Sequence, residues 1–109
     1  MKDFIITGTV EGTGAAINIT VGFIPKIVKV INIDGDAVLM WNDQMADAAG
    51  YKILTGIDDS ADTVSIHQLI SSNGITPIDG DHDTKSGFTI GADADVNVNG
   101  ETIVWEAYR

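Results

Sequence analysis

The stretch GFIPKIVKVINID, residues 22–34, decides the fold. Pro25 fixes its own φ and has no N–H to donate, which predicts that it stands at the first residue of a strand. The residues after it are rich in β-branched side chains that suit a pleated sheet. Period-two alternation divides them between two faces, with Val28 and Val30 on one and Ile27, Ile31 and Ile33 on the other. A strand that is apolar on both faces is either covered twice or meets a partner subunit.

Similar short alternating stretches lie on both sides of this strand. Further strands are predicted at residues 4–10, 17–23, 37–41, 51–54, 63–70, 87–91 and 101–108. A turn at residues 34–36 joins the central strand to the strand at 37–41, and a loop is predicted at 55–62. Residues 71–86 are predicted to be irregular. The one helical signal predicts a single turn at residues 44–49, which Asn42 or Asp43 would cap and Gly50 would end.

About eight short strands with Gly and Asp turns predict an all-β fold, an antiparallel, jelly-roll-like β-sandwich in one domain at residues 1–109. Thirteen of the sixteen acidic residues are Asp, which favours turns over helices. Several strands carry apolar residues on both faces, more than one small core uses. This surplus favours an oligomer, because subunit interfaces bury such surface.

The charge balance excludes several classes of partner. Sixteen acidic residues against six basic ones give a net charge of −10, which argues against binding to nucleic acid or to anionic membranes. No run approaches the ~18 apolar residues of a membrane span, and the first residues do not begin a signal peptide. The absence of cysteine fits folding in the cytosol and excludes thiolate chemistry.

Two acidic stretches have the spacing of metal ligands. Asp79, Asp81 and Asp83 stand at i, i+2 and i+4, like the opening of a calcium loop. That loop needs a glycine at its sixth position and a glutamate at its twelfth, and the chain has Thr84 and Ile90 there. Residues 93–97 repeat the spacing and fail likewise, so their Asp and Asn side chains are expected to bond their own backbone. A solvated acidic loop is the favoured interpretation, and no metal or other cofactor is expected.

Neither a catalytic pair nor a sugar-binding platform is favoured. Ser65 and His67 share a strand face, but no acid is placed to orient His67, and a polar strand face is the better interpretation. His82 stands among carboxylates that would raise its pKa, which allows a proton-linked switch, although simple exposure is favoured. The aromatic residues that could stack on sugars are Trp41, Tyr51, Trp105 and Tyr108. Both tryptophans lie within alternating strands and are therefore expected to be core or interface anchors.

Three segments together resemble a known family of virion proteins. They are GTGAAINI (12–19) leading into GFIPKIVKVIN (22–32); MWNDQM (40–45); and SGFTIGADADVN (86–97) with GET (100–102) and WEAYR (105–109). This set is similar to head decoration (cement) proteins of tailed bacteriophages and to related β-modules of their tail fibres. The resemblance covers most of the chain and consists of residues that determine the fold, and the family has no catalytic residues to transfer.

The resemblance implies a structural protein and not an enzyme. The expected assembly is a homotrimer made in the host cytoplasm and seated on the capsid surface, where it binds the major capsid protein and braces the shell. The apolar residues expected to contact other subunits or the shell are Phe4, Ile6, Ile27, Ile31, Ile33 and Trp105. The alternative is a module of a tail or head fibre that binds a receptor or a glycan of the host surface.

Overall fold

A computed structural model, which describes residues 4–57, 60–80 and 85–109, shows an antiparallel sheet of eight strands. The strands are β1 (Ile5–Glu11), β2 (Ile17–Thr20), β3 (Ile27–Asn32), β4 (Ala37–Asn42), β5 (Ala49–Ile57), β6 (Thr63–Ile78), β7 (Gly87–Ile90) and β8 (Thr102–Tyr108). Their order across the sheet is β1-β8-β3-β4-β5-β6-β7-β2. The predicted all-β antiparallel fold is confirmed, and it consists of one continuous sheet that curls into a half-barrel.

The short connection between β1 and β2 explains the curl. These strands follow each other in sequence but lie at opposite edges of the sheet. Six Cα steps from Glu11 to Ile17 reach at most about 20 Å, whereas a flat sheet of this size would be roughly 34 Å wide. The sheet therefore closes into a half-barrel. Gly12 donates its N–H to the Glu101 carbonyl at 2.8 Å and ties the connection to the start of β8.

The core lies on the concave side of the sheet. Val28 and Val30 of β3 are fully buried, so the face that they share is the inner one. The largest core side chains from other strands include Leu39, Trp41, Phe88, Ile90, Ile103 and Trp105. Phe88 and Trp105 meet edge to face, with ring centroids 5.6 Å apart, a geometry that aromatic pairs prefer. The connection between β7 and β8 adds the buried Val96 and closes the core.

The predicted helical turn at residues 44–49 is wrong. Asn42 does cap the segment, because its Oδ1 accepts the Gln44 N–H at 3.0 Å. The chain then forms separate hydrogen-bonded turns, and Ala48 adopts φ 67° in the left-handed region. A left-handed residue ends a right-handed helix. β5 begins directly afterwards, at Ala49.

β6 is twice as long as predicted, because it continues through part of the stretch predicted to be irregular. Gly50 pairs with Ile70 while Ala49 pairs with Ile75, so the intervening residues form a bulge. Asn73 supplies the left-handed backbone of that bulge, with φ 61°. After the bulge β6 pairs with β7 at residues 75–78. Pro77 is tolerated there because β5, which begins at Ala49 opposite Ile75, does not extend as far as Pro77. The missing N–H of Pro77 therefore breaks no ladder.

The long hairpin of β5 and β6 extends beyond the rest of the sheet. β4 pairs with β5 only at residues 51–54, and β7 pairs with β6 only at residues 75–78. Residues 55–57 and 63–65 consequently form a two-stranded extension. The chain measures 52 × 28 × 26 Å, in keeping with such an extension. Within the described ranges, no helix is long and apolar enough to cross a membrane.

Candidate functional site

The convex side of the sheet carries rows of apolar side chains in cross-strand register. One row across β8, β3, β4 and β5 consists of Val104, Ile31, Val38 and Ile53. In the next row Met40 and Tyr51 stand beside the charged Lys29 and Glu106, and the row after it holds Ile27 and Tyr108 with Asn42. These eight residues define the outer apolar face. All eight retain solvent exposure in the single chain, so the face is available to a partner.

A groove of about 570 Å³ lies at one end of the outer apolar face. Its apolar walls are formed by Ile27, Met40, Met45, Tyr51, Leu69 and Tyr108. Lys29 is the one charged residue in its lining. Two methionines give such a groove adaptable walls, because the thioether side chain is flexible and polarizable. The groove is therefore suited to an apolar or aromatic group.

The two tyrosines of the groove each make a side-chain hydrogen bond. Tyr51 shares one with Nδ1 of His67, on the neighbouring strand. Tyr108 donates its hydroxyl to Oε1 of Glu106 at 2.7 Å. That hydrogen bond, together with the Glu106 charge, raises the pKa of Tyr108. Both rings are thus oriented at the mouth of an apolar groove, an arrangement found in binding surfaces.

The residues predicted to contact partners do not share one environment. Ile27 is 46 % exposed in the groove, and Ile31 is half-buried on the outer apolar face. Ile33 is exposed just beyond the end of β3, and Ile6 packs half-buried against the core. Phe4 is exposed beside a second hollow, of about 440 Å³.

The tryptophans both belong to the core. Trp105 is only 8 % exposed, and its indole ring lies so close to Gly8 that a Cβ there would come within 2.5 Å of it. It therefore offers little surface to another subunit. Trp41 is also buried, and its Nε1 donates to the Ala46 carbonyl at 3.1 Å. Both residues were predicted to be core or interface anchors, and within the single chain both are buried in the core.

The predicted calcium loop lies largely outside the described residues. Asp79 is exposed beside the second hollow, while Asp81, His82 and Asp83 fall in the part of the chain that the structure does not describe. Among the described residues, no group of three or more His, Asp or Glu side chains could hold a metal ion.

The second acidic stretch forms a buried ionic cluster with a lysine. Lys52 of β5 points into the half-barrel, and its Nζ lies 3.0 Å from Oδ1 of Asp93 and 2.8 Å from Oδ2 of Asp95. Oδ2 of Asp93 also accepts the N–H groups of Asp95 and Val96, at 3.0 and 3.1 Å. The predicted bonding to the local backbone is thus confirmed for Asp93, whereas Asp95 bonds Lys52 and Asn97 bonds backbone groups outside this stretch.

The protonation state of Lys52 indicates a structural role. Burial acts to lower the pKa of Lys52, but the hydrogen bonds that its ammonium group donates to Asp95 and Asp93, together with the charges of these carboxylates, outweigh it and raise the pKa above its ordinary value of 10.5. A nucleophilic or basic lysine needs a lowered pKa, because only the neutral amine reacts. Lys52 is therefore a fixed cation that holds the β7–β8 connection against β5.

The strand pair Ser65 and His67 also lacks the arrangement of a catalytic site. Both lie in β6 two residues apart, so they share a face as predicted. His67 bonds the Tyr51 hydroxyl, where a triad needs a carboxylate to orient the ring. The pair is part of an exposed polar strand face.

Two buried asparagines, missed by sequence reasoning, fasten the loops at one end of the half-barrel. Asn97 accepts the N–H groups of Thr13 and Gly14 and donates to the carbonyls of Ala15 and Gly91. Asn32 donates to Oε1 of Glu101 at 2.9 Å and accepts two N–H groups of the β3–β4 turn. The available signal was the polar residue at the end of the alternating core face of β3. These side chains satisfy buried backbone groups and are structural.

The outer apolar face with its groove is the feature best suited to recognition, because it combines exposed apolar area with oriented aromatic rings. Lys52, Asn32 and Asn97 are instead occupied in holding the fold. No family model, curated protein sequence or solved structure matches the chain.

Proposed function

We propose that this chain is a structural virion protein, a decoration or cement protein that binds the lattice of a bacteriophage head as a homotrimer and stabilises it. The observation that carries the proposal is the outer apolar face, whose eight residues lie on β8, β3, β4 and β5 around the Lys29–Glu106 pair. Soluble monomers rarely expose contiguous apolar patches above a few hundred Å². The resemblance noted in the sequence points to the same kind of partner.

The mechanism is binding without chemistry. Burial of apolar surface contributes about 25 cal/mol per Å², so a contact that covers the outer apolar face supplies most of the association free energy. Contacts of the shell with several subunits at once add their effects, because each bound subunit holds its neighbours near their own sites. A net charge of −10 keeps a densely coated particle soluble.

A second candidate function is recognition of a receptor or glycan by a fibre module. The observation that favours it is the position of Tyr51 and Tyr108 in one groove. Tyrosine combines an apolar ring face with a polar hydroxyl, so it is suited to stack on a sugar ring and hydrogen-bond to it. In this alternative the outer apolar face binds a cell surface and the phage shell is not its partner.

The test compares two isoleucines that differ in location and not in exposure. Ile27 lies in the groove and is 46 % exposed, while Ile24 lies by the second hollow and is 47 % exposed. Ile27→Glu is expected to weaken co-sedimentation with undecorated phage heads by at least about 10-fold, since an isoleucine side chain contributes roughly 1.5–3 kcal/mol on burial. Ile24→Glu carries the same charge change and should leave binding within about twofold.

The sedimentation of the purified wild-type chain completes the test. A trimer that binds heads supports the decoration function. A stable monomer that ignores heads contradicts it. Saturable binding of that monomer to bacterial surface polysaccharide, lost in Tyr51→Ala, would instead support the glycan-binding function.

A further inference from the structure

The long strand β6 has one flank without a strand partner over most of its length. β5 pairs with it along residues 63–70, whereas β7, its other neighbour in the sheet, pairs with it only at residues 75–78. Within the described part of the chain, the opposite flank of residues 63–73 therefore meets no strand; it is called here the free flank. Every second residue of a strand directs its N–H and C=O toward such a flank. The free flank is thus a ready template for another strand.

The composition of this strand is unusual for an exposed edge. Residues 63–78 carry no Asp, Glu, Lys or Arg and form the longest uncharged segment of the chain. Natural edge strands are protected by charges, especially lysine, or by being very short. β6 has neither protection, and it exposes Leu69 to 76 %. The bulge follows Ile70, so residues 63–70 of the free flank precede it.

We propose that the free flank of β6 pairs with the same flank of a second copy of this chain. Two identical strand edges related by a twofold axis run antiparallel, and each contributes the same residues to the contact. The pairing joins the two sheets into one and satisfies the backbone groups of both flanks with each other.

Charge selects a second copy as the occupant. Copies with a net charge of −10 repel each other wherever their acidic turns approach. Along β6 two copies meet without opposing any formal charge, because neither contributes a charged side chain. A basic partner would find no carboxylate on this strand. The flank therefore complements itself better than it complements a charged partner.

This inference deepens the proposed function, because it names a strand through which copies associate. The pairing uses the edge of the sheet and leaves the outer apolar face free. If trimers form through the outer apolar face, the pairing of two β6 flanks joins one trimer to the next. Failure of the pairing would leave binding to the phage head untouched, so the two proposals are tested separately.

Single-cysteine substitution tests the pairing, because the chain has no cysteine of its own. The variants are Ser65→Cys, Ile66→Cys, His67→Cys, Gln68→Cys and Leu69→Cys, each compared with Gln44→Cys on an exposed turn. Residues opposite each other in an antiparallel pair have Cα atoms about 4.5–5.5 Å apart, within the range of a disulfide. Near the twofold axis a residue faces its own copy, so mild oxidation links two chains through one position.

The expected result is a peak of covalent dimer at one or two of these positions. The rate there should exceed that of Gln44→Cys by at least about 10-fold, because pairing raises the local thiol concentration. If all five variants form covalent dimer as slowly as Gln44→Cys does, the proposal is overturned. Far-UV circular dichroism verifies that each variant is folded.

Hydrogen exchange of the unmodified chain gives an independent result. Alternate amides of residues 63–73 should become at least about 10-fold more protected as protein concentration rises through the association range. Amides that stay unprotected at millimolar concentration overturn the pairing. Protection that appears only after phage heads are added overturns it as well, since it identifies the head as the occupant of the flank.

Discussion

Replacing Asp93 by alanine should destabilise the fold more than any surface substitution. Lys52 is buried, and its Nζ is held by Asp93 at 3.0 Å and by Asp95 at 2.8 Å. The side chain of Asp95 is 48 % exposed, so solvent screens its charge more than it screens Asp93. Asp93→Ala therefore leaves the Lys52 ammonium group in the half-barrel with only the more exposed Asp95 as its partner. It also removes the acceptor of the Val96 N–H.

The burial of the ion pair sets the expected loss in the free energy of unfolding. Removing one partner of a buried ion pair costs about 3–5 kcal/mol, because the other charge stays desolvated. Asp93→Asn keeps an oxygen for the backbone N–H groups and removes only the charge, so about 2 kcal/mol is expected. Because a domain of this size has a free energy of unfolding of about 5–15 kcal/mol, the alanine variant loses a large fraction of it.

Urea unfolding at neutral pH measures both variants, and Lys52→Met completes a double-mutant cycle. The folded-state pKa of Lys52 is raised, so its contribution is fully present below the unfolded pKa and is lost as pH rises through the folded value, above 10.5. Wild type should consequently lose more stability than Lys52→Met in that alkaline window. A cost below about 1 kcal/mol for Asp93→Ala, with a coupling near zero, would refute this account.

Three further substitutions test other parts of the structure. Asn97→Ala removes four hydrogen bonds to backbone groups and should cost about 2–3 kcal/mol in urea unfolding; a cost near zero would mean that water replaces them. Gly87→Ala would place a Cβ 1.9 Å from the Ile19 carbonyl oxygen, so a loss of about 2 kcal/mol and faster hydrogen exchange in β2 are expected. Glu106→Gln should lower the pKa of Tyr108 in an ultraviolet titration, since Glu106 raises it; in wild type, the stability linked to this tyrosine is lost as pH rises through its raised value, above 10.0.

Hydrophobic periodicity was sufficient to predict how the residues of β3 divide between two faces, and the turn residues predicted the turn that follows it. Val28 and Val30 alternate with half-exposed residues, and the hairpin to β4 forms across residues 33–36 as the Asp-Gly turn indicated. Such features depend on neighbours in sequence, which a period-two pattern reports directly. The same pattern placed Ile27 and Ile31 together on the face opposite the two valines, and the structure shows that this face is the outer one.

The course of β6 could not be predicted from local preferences. Ser71, Asn73 and Pro77 each favour turns, and sequence reasoning therefore ended the strand at residue 70. Pairing with β7 beyond a bulge restores the strand, and that partner lies about ten residues further along the chain. Lys52 was missed for a related reason. Alternation with Tyr51 places Lys52 on the inner face of β5, but only the tertiary fold brings Asp93 within hydrogen-bond distance of it.

The distribution of charge connects the fold to the proposed contacts. The acidic residues lie mainly in turns and connections, while the exposed surface of the central strands and all of β6 is nearly free of acid. If solubility alone had shaped this surface, charges would be expected on the outward positions of β6, where they cost little and protect an edge. Their absence there, in a chain with a net charge of −10, has a simple physical reason if those positions face another copy of the chain. Gln68→Glu would then disfavour self-association by placing like charges opposite each other, whereas the same change at Gln44 would not. Equal association of the two variants would show that β6 is simply an exposed edge.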